Sequence, residues 1–254
     1  MNGPGAPPGP AAPFVAARGL VKMYGGFAAL DGVDLDIGPG ESVLLLGPNG
    51  AGKSTFLRLV AMLQRPSGGT LRLWGEEPAR ADRTTLRRRL GLLSHQGFLY
   101  DHLTAAENLI FYGRLYGLAM DATRAREALA EVGLEVRRDD VVRAFSRGMQ
   151  QRLALARTLL HDPEMVLLDE PFTGLDRQGA HRLQEMLAAR LGERRACLMV
   201  THDFEPALPL ATRIVILADG RVVLDRPAAG LDAAGLDAIY RRATDPAAPA
   251  PAAA

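Results

Sequence analysis

One short segment of the chain has the spacing of a phosphate-binding loop. Residues 47–54 read Gly-Pro-Asn-Gly-Ala-Gly-Lys-Ser and fit the pattern G-x-x-x-x-G-K-[ST]. Its glycines let backbone N–H groups turn toward phosphate oxygens, and the helix that follows adds partial positive charge. We expect Lys53 to reach the β- and γ-phosphates and Ser54 to bind Mg²⁺. The predicted nucleotide-binding residues of this segment are Gly47, Pro48, Asn49, Gly50, Ala51, Gly52, Lys53, Ser54 and Thr55.

An apolar run that ends in two acids supplies the complementary chemistry. Residues 165–170 read Met-Val-Leu-Leu-Asp-Glu, which predicts a buried strand with carboxylates at its end. Ligands bind at the carboxyl ends of parallel strands, so we expect Asp169 to hold Mg²⁺ and Glu170 to polarise an attacking water. No Asn precedes a Lys, so the Asn-Lys-x-Asp reader of guanine is missing and adenine is the favoured base.

Lysine usage supports the assignment of Lys53. Among 30 basic residues only Lys22 and Lys53 are lysines, and all the others are arginines. Arginine is larger and planar, so it does not replace a compact ammonium at a phosphate loop.

The hydrophobic pattern places these residues on an α/β framework. We predict a folded domain over 14–243, with an inserted helical subdomain over about 97–160, and disordered Gly/Pro/Ala-rich tails at 1–13 and 244–254. The predicted strands are 33–37, 42–46, 71–74, 90–94, 165–168 and 197–200, with a hairpin of 213–217 and 221–224. The predicted helices are 55–62, 105–115, 122–132, 147–160, 179–191 and 233–242.

Composition narrows the class of protein. The 254 residues are 48% hydrophobic and 23% charged with a net charge of +1, which argues against non-specific nucleic-acid binding. A single cysteine cannot form an intrachain disulfide. The sequence shows neither a signal peptide nor an apolar run long enough for a membrane helix, so we expect a cytosolic location.

Together with the phosphate loop and the strand that ends in two acids, further motifs in chain order resemble those of ABC transporter ATPases. Residues 145–152, Phe-Ser-Arg-Gly-Met-Gln-Gln-Arg, resemble the signature motif of that family. The resemblance implies that Tyr24 stacks on adenine and that Gln96 is the glutamine that joins the Mg²⁺ site to the helical subdomain. It also implies that Asp176 belongs to the D-loop and that His202 contacts the γ-phosphate. The signature and dimer-interface residues implied are Ser146, Arg147, Gly148, Met149, Gln150 and Asp176.

The same resemblance implies a fold and an activity. The fold would be the P-loop ABC ATPase fold, with a RecA-like core sheet, an antiparallel β subdomain and an inserted α-helical subdomain. Two copies would sandwich two ATP molecules with Mg²⁺, and the catalytic residues would be Glu170, His202, Lys53 and Gln96. Arg147 and Met149 depart from the usual glycine and glutamine of the signature, which leaves the level of activity open.

The implied partners are polytopic membrane permease subunits. The chain would work peripherally at the cytoplasmic face of the membrane and would not touch the cargo itself. The segment around Leu99, Tyr100 and Leu103 and the aromatic residues Phe111, Tyr112 and Tyr116 could receive the permease, or the three aromatics could pack inside the helical subdomain.

The stretches 93–100, 103–109 and 111–117 resemble the haem exporter ATPase of cytochrome c maturation, as do residues 145–150, and this resemblance implies haem export. The alternatives are another exporter subunit, for drugs, lipids or polysaccharide, a non-transport ABC ATPase, and a small-molecule kinase. The short spacing between Lys53 and Ser146 argues against DNA-repair relatives, and the signature and D-loop argue against a kinase.

Overall fold

A small antiparallel sheet lies next to the phosphate loop. The computed structural model describes residues 12–94, 97–192 and 194–245. Strands β1 (Val15–Tyr24), β2 (Phe27–Ile37) and β4 (Gly68–Leu73) pair antiparallel in the order β2-β1-β4. This is the antiparallel subdomain that the resemblance implied.

The second sheet has six strands in the order β5-β6-β7-β3-β8-β9. Its first five strands are parallel, and β9 pairs antiparallel with β8 through the expected hairpin. Strands β3 and β7 are buried along their whole length, as continuous apolar runs covered on both faces should be. The bounds are β3 (Ser42–Leu46), β5 (Leu90–Leu93), β6 (Met165–Asp169), β7 (Ala196–Val200), β8 (Arg213–Ala218) and β9 (Arg221–Pro227).

Helices connect the strands and form the insertion between β5 and β6. Helices α3, α4 and α5 share a separate apolar core that includes Leu109, Leu129 and Leu153. Leu99 packs against both this core and that of the parallel sheet, so it joins the two bodies. The helices are α1 (Lys53–Val60), α2 (Arg83–Arg88), α3 (Ala105–Leu115), α4 (Ala122–Glu131), α5 (Arg147–Leu159), α6 (Arg177–Arg190), α7 (Phe204–Ala207) and α8 (Ala233–Thr244).

Most predicted elements are present, with shifts of one or two residues at many ends. Strand β2 begins at Phe27 rather than at residue 33, because it pairs with β1, which the periodicity did not predict. Helix α2 was not predicted either. Within the described ranges, no helix is both long enough and apolar enough to cross a membrane.

Candidate functional site

The phosphate loop joins β3 to α1, and two of its glycines are required by space as well as by conformation. Gly47 has φ +150° and Gly52 has φ +101°, values that residues with a Cβ rarely adopt. A Cβ on Gly47 would lie 2.2 Å from the Leu217 carbonyl oxygen, and one on Gly52 would lie 2.3 Å from the Ala29 carbonyl oxygen. The loop is therefore clamped between β8 and β2 in a shape that only glycine permits.

Helix α1 presents an N-terminus that fits an anion. Its N-cap is Gly52, no side chain caps it, and its first turn contains no acid. The Lys53 ammonium curls back and donates to the carbonyl oxygens of Gly47 at 2.6 Å and Pro48 at 2.9 Å. Burial lowers the pKa of Lys53, and Glu170 and Asp169 partly oppose this effect. The uncapped N–H groups and the positive end of the dipole of α1 thus lie beside the Lys53 ammonium. This arrangement of donors and positive charge suits the binding of phosphates.

Strand order brings the two acids opposite the phosphate loop. Val200 of β7 pairs with Leu45 of β3 on one side and with Asp169 of β6 on the other. The backbones of Leu45 and Asp169 are therefore two strand spacings apart, about 10 Å. Strand β7 lies between them, so the phosphate loop after β3 and Asp169 at the end of β6 follow at the same carboxyl edge of the parallel sheet. The Ser54 hydroxyl and the Asp169 carboxylate are hard oxygen ligands of the kind that Mg²⁺ prefers.

Glu170 is held in an unusual backbone conformation. Its φ is +54°, in the left-handed region that non-glycine residues seldom occupy, and its N–H donates to the Val200 carbonyl at 2.8 Å. The carboxylate Oε2 accepts from the Thr201 hydroxyl at 3.0 Å and lies 2.9 Å from His202 Nδ1. The Glu170 side chain is 24% exposed and that of His202 is 81% exposed. Glu170 is thus oriented by its neighbours and remains partly exposed.

Sequence reasoning missed two residues around Glu170. The amide of Gln151 donates to the carbonyl oxygens of Glu170 at 3.4 Å and Pro171 at 3.0 Å, which ties α5 to the end of β6. Thr201 is buried, donates to Glu170 and accepts from the Asp203 N–H at 3.1 Å. Thr201 directly follows an apolar strand and precedes His202, and this position is the feature of the sequence that could have identified it.

We expect Thr201→Val to reduce kcat for ATP hydrolysis about tenfold with little change in KM. The hydroxyl orients Glu170 through one hydrogen bond to a charged group, worth roughly 1.5–3 kcal/mol. Thr201→Ser retains the hydroxyl and is the matched control. Steady-state kinetics of the two variants test this role, and equal losses of kcat in both would refute it.

The signature segment begins helix α5, as predicted. The Ser146 hydroxyl caps the helix by accepting from the Met149 N–H at 3.3 Å, and α5 has no acid in its first turn. A Cβ on Gly148 would lie 3.0 Å from the Gly174 carbonyl oxygen, so this glycine permits close packing of the signature on the D-loop. A Cβ on Gly174 would in turn lie 3.1 Å from the stem of Arg147. Signature and D-loop therefore form one packed unit.

The remaining predicted residues have the following places. Asp176 caps α6 by accepting from the Gly179 N–H at 2.7 Å, which is a structural role in addition to any role at an interface. Gln150 donates to the Val142 carbonyl at 3.4 Å, inside the helical subdomain. A cavity of about 360 Å³ connects Glu170 with Arg147, Gln150 and Gln151. Gln96 lies outside the described residues.

Tyr24 ends β1 at the tip of the hairpin with β2 and pairs with Phe27. The hairpin lies beside the phosphate loop, because β2 supplies the carbonyl of Ala29 that abuts Gly52. Tyr24 is 44% exposed, so it is not simply packed on the sheet. Its ring is available for stacking, and this role stays a prediction.

Comparisons with known proteins agree with this geometry. A sequence model described as ABC transporter matches residues 30–173. The daunorubicin/doxorubicin resistance ATP-binding protein DrrA of Streptomyces peucetius is 38% identical over 83% of this chain, which spans 64% of that protein. The Nod factor export ATP-binding protein I of Ralstonia nicotianae is 39% identical over 85% of this chain and 69% of its own length. A solved dimeric ATP-binding cassette in a post-hydrolysis state, bound to ADP and Pi, has a TM-score of 0.77 and 30% identity, covering 85% of this chain and 100% of its own.

Proposed function

Because the chain belongs to the ABC transporter family, we propose that it is the ATP-hydrolysing subunit of an exporter for a drug, lipid or polysaccharide. The observation that carries the enzymatic part is the Glu170 carboxylate, oriented by Thr201 and His202 at the end of β6, opposite Lys53. The sequence resemblance also implied haem export. The names of the two relatives favour export of a drug, lipid or polysaccharide instead.

The residues divide the hydrolytic step between them. Lys53 and the N–H groups of the loop would bind the β- and γ-phosphates. Ser54 and Asp169 would hold Mg²⁺, which when bound supplies positive charge against the charge that develops on the phosphates. Glu170 accepts a proton from the attacking water, and His202 contacts the γ-phosphate and steadies Glu170. Glu170 and His202 already lie just after strand ends, whereas Lys53 must leave the carbonyl oxygens of Gly47 and Pro48 to reach the phosphates.

We propose that two copies complete each site. Ser146 and Gly148 expose the N-terminus of α5, and the Gly148–Gly174 contact fixes that end to the D-loop before Asp176. A triphosphate on a second copy would meet this surface, with Arg147 beside it. The ADP- and Pi-bound relative is itself dimeric, which supports this arrangement.

The permease would dock on an aromatic surface of the helical subdomain, formed by Phe98, Tyr100, Phe111 and Tyr112. Tyr100 and Phe111 meet edge to face at 4.9 Å between centroids, and both are more than 40% exposed. Buried Asn108 holds this surface in place by accepting from the Tyr100 N–H at 2.8 Å and donating to its carbonyl at 3.0 Å. Tyr116 instead stacks on His161 and does not belong to this cluster of rings.

Arg157 links this surface to the catalytic face. It is buried, its guanidinium lies 5.2 Å from the Tyr112 ring centroid, and it donates to the Leu92 carbonyl at 2.7 Å. Leu92 is in β5, the strand that leads to Gln96, and Arg157 belongs to the helix that begins at the signature. A movement of the aromatic surface would thus reach both α5 and β5 through Arg157.

Capture of the membrane partner tests this function. Tagged Glu170→Gln protein, recovered from native membranes solubilised with ATP, should carry a polytopic permease, and Phe111→Asp should lose it. Val223→Asp, at an exposed apolar residue of β9, is the control and should retain the permease. Recovery of cytochrome c maturation proteins would instead support haem export. Recovery of an import permease would contradict the proposed direction of transport. Recovery of ribosomes or DNA-binding proteins alone would refute a transport role.

A further inference from the structure

The tip of the β1–β2 hairpin is tied to the segment that follows α1. The Tyr24 hydroxyl donates to the side-chain oxygen of Gln64. The Lys22 ammonium donates to the Arg65 carbonyl at 2.9 Å, and the Met23 N–H donates to the Ser67 hydroxyl at 3.0 Å. Three successive residues of β1 therefore contact residues 64–67, which are distant in sequence.

Lys22 also approaches the ring of Tyr24. Its Nζ lies over that ring, 5.2 Å from the centroid, close enough for a cation–π attraction. The hydroxyl of Tyr24 is held at the same time by Gln64. Both the plane and the tip of the ring are therefore constrained, although the side chain is 44% exposed. An exposed aromatic residue with no ligand to hold ordinarily keeps rotational freedom.

The constraint gives a reason for a lysine at position 22 in a chain whose only other lysine is Lys53. An ammonium is compact and has rotatable donors, so it can hydrogen-bond the Arg65 carbonyl while lying over the ring. A ring that is fixed before binding loses less conformational entropy when a base stacks on it.

We propose that Lys22 and Gln64 are positioning residues that hold Tyr24 as a preformed platform for the nucleotide base, an inference that rests on the proposed ATPase function. Lys22 occupies one face of the ring, and the base stacks on the exposed remainder. Stacking on an aromatic face tolerates different bases. Lys22 and Gln64 therefore set the affinity for purine nucleotides in general and leave the phosphate contacts unchanged.

Equilibrium binding by the full chain tests this division. Dissociation constants for ATP, GTP and inorganic tripolyphosphate are measured by calorimetry for Gln64→Leu, Lys22→Met and Tyr24→Phe. We expect each variant to bind ATP and GTP about three- to fivefold more weakly, with tripolyphosphate unchanged, and Tyr24→Ala to lose about tenfold or more. Lys22→Arg should recover part of the loss, and Arg242→Met, which removes an exposed charge on α8, should have no effect.

A double-mutant cycle isolates the hydrogen bond. Tyr24→Phe and Gln64→Leu remove the two ends of one contact, so the double variant should be no weaker than either single variant. Additive losses of ATP affinity in the double variant would overturn the proposal, and so would unchanged ATP affinity in the single variants. A parallel loss of tripolyphosphate binding would also overturn it, because that loss would indicate general damage to the phosphate loop. A wild-type chain that binds ATP but does not hydrolyse it would refute only the proposed function, and one that binds no ATP would refute both.

Discussion

Glu170→Gln is expected to stop steady-state ATP hydrolysis while ATP binding remains. The glutamine fills the same space and can still contact Thr201 and His202, but its amide cannot take a proton from the attacking water. General-base catalysis contributes roughly 10²- to 10⁴-fold, so kcat should fall by that factor. The dissociation constant for ATP should stay within about threefold of the wild-type value, because Lys53 and the loop glycines are untouched.

The same variant should accumulate as an ATP-bound dimer, since hydrolysis is the step that would separate the two copies. Light scattering after size-exclusion chromatography, with and without ATP and Mg²⁺, measures this directly. Glu127→Gln, which changes an exposed acid of α4, is the matched control and should remain active. Unchanged turnover in Glu170→Gln would contradict the assigned role of Glu170. An ATP-bound Glu170→Gln protein that stays monomeric would contradict the two-copy site.

The sheet and the phosphate loop could be predicted because their signals are local. Strand β3 has the predicted bounds, since a short apolar run between a Gly-Pro-Gly turn and a glycine loop allows no other register. Helix α3 begins where predicted because Thr104 and Glu107 form a capping box. The positive φ values of Gly47 and Gly52 follow from the motif itself.

Strand β1 and helix α2 were missed because their patterns are weak. In β1 the buried residues Val15, Ala17 and Leu20 break the alternation, and the pairing with β2 shifts register between Ala17 and Leu20. Helix α2 buries only Leu86, so it shows no apolar stripe. Secondary structure of this kind is decided by tertiary contacts rather than by propensity.

The supporting contacts of the site were also beyond the sequence. Thr201 reaches Glu170 across 31 positions and Gln64 reaches Tyr24 across 40, so no local spacing relates these pairs. The left-handed backbone of Glu170 is likewise imposed by its bond to Val200 on the neighbouring strand. The residues that bind or react have types that reveal them, whereas those that orient them do not.

Lys53→Met should strongly reduce the stabilisation of the protein by ATP without destabilising the free protein. The ammonium provides charge-assisted hydrogen bonds to the phosphates, each worth roughly 1.5–3 kcal/mol, so ATP affinity should fall about 10- to 100-fold. Thermal unfolding with and without ATP and Mg²⁺ measures the effect, because a ligand raises Tm only when it binds the folded chain.

The stability of the free Lys53→Met protein follows from the pKa of Lys53, which burial lowers below its ordinary value of 10.5. The unfolded chain therefore binds the proton of the Lys53 ammonium more tightly than the folded chain does. At pH values below the lowered pKa, the charged lysine reduces the free energy of unfolding. This loss disappears as the pH rises toward 10.5. Methionine keeps the aliphatic stem and removes the charge, so at neutral pH the free variant should unfold at the wild-type temperature or above it. Arg58→Met, at an exposed cation of the same helix, should retain the ATP-induced rise in Tm. A lower Tm in free Lys53→Met would show that the bonds of Lys53 to Gly47 and Pro48 outweigh the cost of its burial. An ATP-induced rise in Tm as large as that of the wild type would remove Lys53 from the phosphate site.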